Sequence, residues 1–145
     1  MIRRVAAALL VLAAFGACGG SNDNDAKDAT TTSATAPPVT MHVAGVDAIV
    51  RGSSIAADGL EVELDDNYFK PNVIIGPPGQ QVTLALKNQG KAVHNFTLGD
   101  AIAMDVQPGG TANVKVTIPA TGETPFFCKF HKDESGMAGV LRVAA

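Results

Sequence analysis

The chain reads as an all-β protein, an antiparallel sandwich of short strands, and three features point to it. Apolar and polar residues alternate over short runs between Leu60 and Val143, the period of a strand with one buried face. Clusters of Gly, Pro and Asn separate those runs at the spacing of sandwich turns. Beyond the N-terminal segment, no long stretch repeats its apolar residues at the helical period. A chain of 145 residues has room for one hydrophobic core and not comfortably for two. The bare pattern permits an immunoglobulin-like sandwich equally.

Taken in order, residues 1–17 have the layout of a cleaved export signal: Arg3 and Arg4, the apolar run Val5 to Phe15, then Gly16-Ala17. The run is too short for the roughly 20 apolar residues of a membrane-spanning helix. Cys18 follows directly, and the junction resembles the bacterial lipoprotein cleavage motif, in which the new N-terminal cysteine is lipidated, although Phe15 stands where that motif prefers Leu. The expectation is a chain lipid-anchored through Cys18 to the outer face of the cytoplasmic membrane, or a periplasmic or secreted one without that modification. From Gly19 to Pro38 the residues are small, polar or Pro, a composition that buries nothing and predicts a disordered tether.

Residues 18–58 are therefore read as tether, with one unclear part. Val39, Met41 and Val43 alternate, and Val46 to Val50 could form a second strand, but Gly45, Gly52, Ser53 and Ser54 interrupt both. This is an extra edge strand or an ordered extension of the tether. His42, alone in it, reads as a surface residue.

The domain proper is expected over residues 59–145. Leu60, Val62 and Leu64 face one way and Glu61, Glu63 and Asp65 the other. Pro77-Pro78-Gly79 turns the chain into Val82, Leu84 and Leu86, and Asn88-Gln89-Gly90 turns it again toward Val93, Phe96 and Leu98. After Gln107-Pro108-Gly109-Gly110 come Val114, Val116 and Ile118. Pro119 to Gly122 leads into Phe126-Phe127-Cys128, and Val140 to Val143 is the last run.

The chemistry gathers in two places. Phe126-Phe127-Cys128-Lys129-Phe130-His131, followed by Met137, brings a thiol, an imidazole and a thioether within ten positions. His94, followed by Asn95, supplies a further imidazole. Singly, each has a plain structural explanation: a satisfied buried histidine, an inert buried thiol, a core-filling methionine. Together, Cys and His clusters mark metal sites.

A His-Asn pair, a Cys-x-x-His pair, a following Met and a closing apolar strand, in that order, resemble the blue copper proteins, or cupredoxins. The resemblance covers Leu60 to Val143 and includes Asn67-Tyr68-Phe69-Lys70-Pro71. It implies a Greek-key sandwich of the cupredoxin type. It also implies one copper ion per chain, cycling between Cu(I) and Cu(II), held by His94, Cys128, His131 and an axial Met137. By the same resemblance, Asn95 ties the strand of His94 to the loop of Cys128, and His131 is the ligand nearer solvent. Five residues separate His131 from Met137, one more than in the plastocyanin-like form of the loop. Met104, a backbone carbonyl or a more open axial position therefore stand as alternatives. Zinc also accepts two imidazoles and one thiolate, so copper is named on the resemblance.

The function implied is a monomeric one-electron carrier that meets redox proteins transiently at the membrane. The alternative is copper storage or delivery without redox turnover. An enzyme is not expected: 3 histidines with no His-x-His pair leave no second copper centre, and Cys128 is the sole loop cysteine. No Gly-rich nucleophile turn frames Cys128 and His131 for hydrolysis. A Cys18–Cys128 disulfide would occupy the only thiol near His131 while tethering a tail, so the two cysteines are not read as a pair. With 11 basic against 14 acidic residues the formal charge is −3, and no basic stripe is present for nucleic acid.

Overall fold

Strands form where the alternation is cleanest. The computed structural model describes residues 36–145. The export-signal reading of 1–17, the proposed lipidation at Cys18 and most of the tether lie outside the described residues. In chain order the strands are β1 (Thr40–Val43), β2 (Val46–Ile49), β3 (Ser53–Ile55), β4 (Leu60–Asp65), β5 (Tyr68–Lys70) and β6 (Val73–Gly76). They continue with β7 (Gln81–Asn88), β8 (His94–Leu98), β9 (Ile102–Val106), β10 (Thr111–Thr117), β11 (Glu123–Phe127) and β12 (Ala138–Val143). One short helix, α1 (Lys132–Ser135), lies between the last two.

Two sheets make the sandwich. One has the order β10-β7-β4-β5 and the other β3-β6-β12-β11-β8-β9. Val62, Leu64, Val82, Leu84, Leu86, Val114 and Val116 from the first meet Ile74, Phe96, Val106, Phe126 and Leu141 from the second in one buried core. Each wholly buried Leu or Phe contributes about 1.5–3 kcal/mol relative to exposure. The aromatic part is compact: Phe126 lies 5.2 Å from Phe69 edge-on and 4.9 Å from Phe96 in a stacked pose. Gly139 makes room for it, because a Cβ there would strike the Phe126 ring.

The all-β sandwich predicted from the sequence is the fold observed, with a difference in strand direction. Among the described strands, β4 with β7, β6 with β12, and β3 with β6 run parallel. The physical reason is the crossing between sheets. After β5 the chain passes to the other sheet as β6 and returns as β7, so β4 and β7 become neighbours without a hairpin between them. Alternation reports burial and carries no strand direction.

Residues 39–57 are structured. β1 and β2 form a hairpin on Ala44-Gly45, whose φ angles of 54° and 80° are both left-handed, as a two-residue turn of this kind needs. β3 is an edge strand of the larger sheet, opposite β9. The hairpin buries Val43 and Ala48 against Val73, Ala138 and Val140, a second small core beside the main one.

Candidate metal centre

Two segments converge at one end of the sandwich. β8 opens on His94, while Cys128 follows the last residue of β11 and His131 comes one turn later. Pairing of β11 with β8 sets Phe127 opposite Thr97; carried one residue on, that register brings Cys128 level with Phe96, close to His94. His94, Cys128 and His131 offer donor atoms that all lie within 4.8 Å of one another. Cys128 Sγ is 3.4 Å from His131 Nδ1, and the two imidazole rings are 4.9 Å apart. His94 and Cys128 are buried, and His131 is only half-buried.

His94 is held from behind. Asn88, buried at the end of β7, donates through Nδ2 to Ala92 O (2.9 Å) and Val106 O (2.8 Å) and accepts from Gly90 N (2.9 Å). That fixes the turn leading into His94. Among the described residues, neither nitrogen of the buried imidazole has a hydrogen-bond partner. Asp66 Oδ1 lies 3.8 Å from Nε2, too long for a hydrogen bond, so the contact is electrostatic. Gly90 allows even that approach: a Cβ there would lie 2.5 Å from Asp66 Oδ1 and 2.8 Å from His94 Nε2. Burial first, then repulsion from His131, holds the His94 imidazole below its ordinary pKa, with Asp66 opposing. The ring is thus kept neutral, the state in which histidine binds a metal.

Asn95 lies between β8 and the segment that carries Cys128. Its backbone N–H donates to Cys128 Sγ at 3.3 Å, its Oδ1 accepts from Thr97 Oγ1 and, at 3.5 Å, from Lys129 N, and its Nδ2 donates to Asp105 at 2.6 Å. Lys129 Nζ closes the ring of contacts onto Asp105 at 2.8 Å. Hydrogen bonds from Lys129, then Asn95, hold the Asp105 carboxyl below its usual range.

Met137 is wholly buried in the same core cluster as Cys128, and Cys128 N donates to Met137 O at 3.0 Å. Met104, the alternative thioether, is 37% exposed on β9. His42 stands outside the site on the hairpin, paired with Asp47 at 2.9 Å. Sequence reasoning did not find Asp66, Gly90 or Asn88. Asp66 and Gly90 carry only turn signals, and what gives them a role is their meeting across the fold.

The donor set fits a metal ion. Donors sharing one ion at bond lengths of about 2.0–2.3 Å lie roughly 3.5–4 Å apart, so a separation of at most 4.8 Å closes with small shifts. A buried imidazole with both nitrogens unpartnered is costly unless something else satisfies it. Thiolate plus two imidazoles suits copper or zinc.

Comparison with known proteins bears on the family and the fold. The family model described as Cupredoxin-like domain matches residues 6–141. A curated relative, the copper-resistant cuproprotein CopI of Pseudomonas aeruginosa, is 50% identical over 46 residues, 32% of this chain and 25% of that protein. The chain thus matches about a quarter of that relative's length. Reduced auracyanin of Roseiflexus castenholzii superposes with a TM-score of 0.52 at 23% identity, over 62% of this chain and 99% of that one. Auracyanin A of Chloroflexus aurantiacus gives 0.50 at 19% identity, over 64% and 100%. At such identities the likeness concerns the fold alone.

Proposed function

The chain belongs to the cupredoxin-like family, and on that premise we propose that it is a mononuclear copper protein carrying single electrons outside the cytoplasmic membrane. His94, Cys128 and His131 would hold the metal, and Met137 would add a thioether. The observation that carries the reading is the meeting of two imidazoles and one thiol within 4.8 Å at the end of the sandwich.

Copper bound there would supply the one-electron couple, and the chain's residues would supply the rest. Asn95 N–H directed at Cys128 Sγ stabilises the thiolate and tunes the potential. His94, wholly buried at the end of a turn that Asn88 fixes, would resist rearrangement between oxidation states. Half-buried His131 offers the route by which an electron reaches a partner. The Phe69, Phe96 and Phe126 cluster beneath keeps water from the sulfur. Nothing in this set calls for substrate turnover: the remaining imidazole, His42, is engaged with Asp47 at the surface. Attachment through Cys18 and transient docking of redox proteins complete the proposal.

Copper storage or delivery is the second reading, and the 50% identical segment of a copper-resistant cuproprotein favours it. Adding Cu(II) to the purified chain should give an intense visible thiolate-to-copper band that Cys128→Ser abolishes. A colourless adduct sinks both readings' copper–thiolate site. Fast reversible redox exchange would then select the carrier, and ready transfer to an acceptor apoprotein the handler.

A further inference from the structure

The segment from Cys128 to Met137 is closed by its own backbone. His131 N and Lys132 N donate to Cys128 O at 3.2 and 2.9 Å, Ser135 N to His131 O at 3.1 Å, and Gly136 N to Lys132 O at 2.9 Å. Yet α1 within it buries none of its 4 residues, and a single helical turn does not hold by itself in water. Its rigidity has to come from outside.

The hairpin β1–β2 lies against this loop. Lys132 Nζ reaches Ala44 O at 3.5 Å. Gly136 passes so close to the hairpin that a Cβ there would strike Asp47 O. Phe127, just before Cys128, packs with Met41 and Val46 on the small core of Val43, Ala48 and Ala138. Asn72, 1% exposed, latches the base. Its Nδ2 donates to Ile49 O at 2.9 Å and to Ala138 O at 3.2 Å, while its Oδ1 accepts from Arg51 N at 2.7 Å. One buried side chain thereby joins the end of the hairpin to the residue that follows Met137.

We propose that the hairpin β1–β2, latched by Asn72, is a clamp on the Cys128–Met137 loop that fixes its geometry and slows its opening. Where that loop holds copper, which rests on the function proposed above, the clamp sets how fast the metal leaves. Asn72 is a positioning residue, acting through Ala138 on the loop. A tight clamp suits a carrier that must keep its metal through repeated turnover.

The test uses the full chain and two readouts. The first is amide exchange at His131, Ser135, Gly136 and Met137 in the metal-free protein, with the β7 amides as internal reference. The second is release of Cu(I) to excess chelator. Asn72→Leu and Gly136→Ala should each speed loop exchange and copper release on the order of tenfold, the scale of one or two lost buried hydrogen bonds, and leave β7 unchanged. Gly122→Ala controls for left-handed backbone strain, since Gly122 has φ 66° against 65° at Gly136 and nothing within 4 Å of the added Cβ. Deleting Thr40–Ile49 should accelerate both readouts and remove most of the Gly136→Ala effect. Wild-type loop exchange in folded Asn72→Leu, or equal effects of Gly136→Ala and Gly122→Ala, would overturn the clamp. A wild-type chain that forms no copper–thiolate band would instead defeat the proposed function, while loop exchange in the metal-free chain still decides for or against the clamp.

Discussion

At Gly90 the requirement is space and not backbone freedom. Asp66 Oδ1 accepts from Lys91 N at 2.8 Å, and this bond parks the carboxylate beside His94 Nε2 where an alanine methyl would otherwise sit. The carboxylate matters because burial works against charge on the imidazole, and a negative neighbour raises the donor strength of the ring. Gly90→Ala should therefore push Asp66 or His94 aside and weaken copper binding by about 10–100-fold, the usual cost of disturbing an outer partner of a metal-bound histidine. Competition with a chelator of known affinity measures it. Wild-type affinity in that variant would mean the Asp66 contact is incidental. In the sequence, Gly90 is a turn residue like any other. Cys128, His131 and Met137 were legible because they are close along the chain, whereas the Asp66–Gly90–His94 contact joins three turns and strands that only folding brings together.

Strand β7 shows how much an element can reveal and conceal. Its Val82, Leu84 and Leu86 alternate in the sequence and are all buried, and the same holds for Val62 and Leu64 in β4 and for Val114 and Val116 in β10. Its last residue, Asn88, continues the buried face and is polar. Asn88→Ala would take the amide donor from the carbonyls of Ala92 and Val106 and leave the Gly90 N–H only its longer bond to Leu64 O at 3.3 Å, at a cost of about 2–3 kcal/mol. Urea unfolding should show a lower midpoint with an unchanged slope, and a midpoint equal to wild type would mean that water replaces the amide at no cost. Elements whose alternation is absent or interrupted were the ones the sequence left open. β9 exposes Ala103 to Asp105 in succession, so no half-buried pattern marks it. The hairpin β1–β2 has its pattern broken by Gly45, and its burial depends on Ala138 and Val140, far along the chain. α1 is too short for any helical period to register.

Over the whole molecule, acidity should act through two groups of titrating residues with the same sign. In the metal-free chain the folded pKa of His94 lies below its ordinary value of 6.5, so between those values the unfolded chain binds a proton that the folded one refuses. Stability from this group is fully present above about pH 6.5 and declines as the pH falls toward the folded value, by up to about 1.4 kcal/mol per pH unit for one proton. Asp65 and Asp105 are depressed below 3.8, the first by the Asp66 backbone N–H and then Tyr68, the second by Lys129 and then Asn95. Their contribution is present above that pH and is lost below it, as protonation breaks those bonds. The profile should therefore be flat near pH 7–8, fall once below about 6.5, and fall again under 3.8. His94→Gln should remove the first decline and leave the second. Urea unfolding of the metal-free chain and of His94→Gln, followed from pH 8 to pH 3, separates the two. Equal slopes for both chains between pH 6.5 and 5 would show that His94 does not carry the first decline. Protons and copper compete for the same neutral ring, so copper affinity should weaken over the range in which the metal-free chain loses stability.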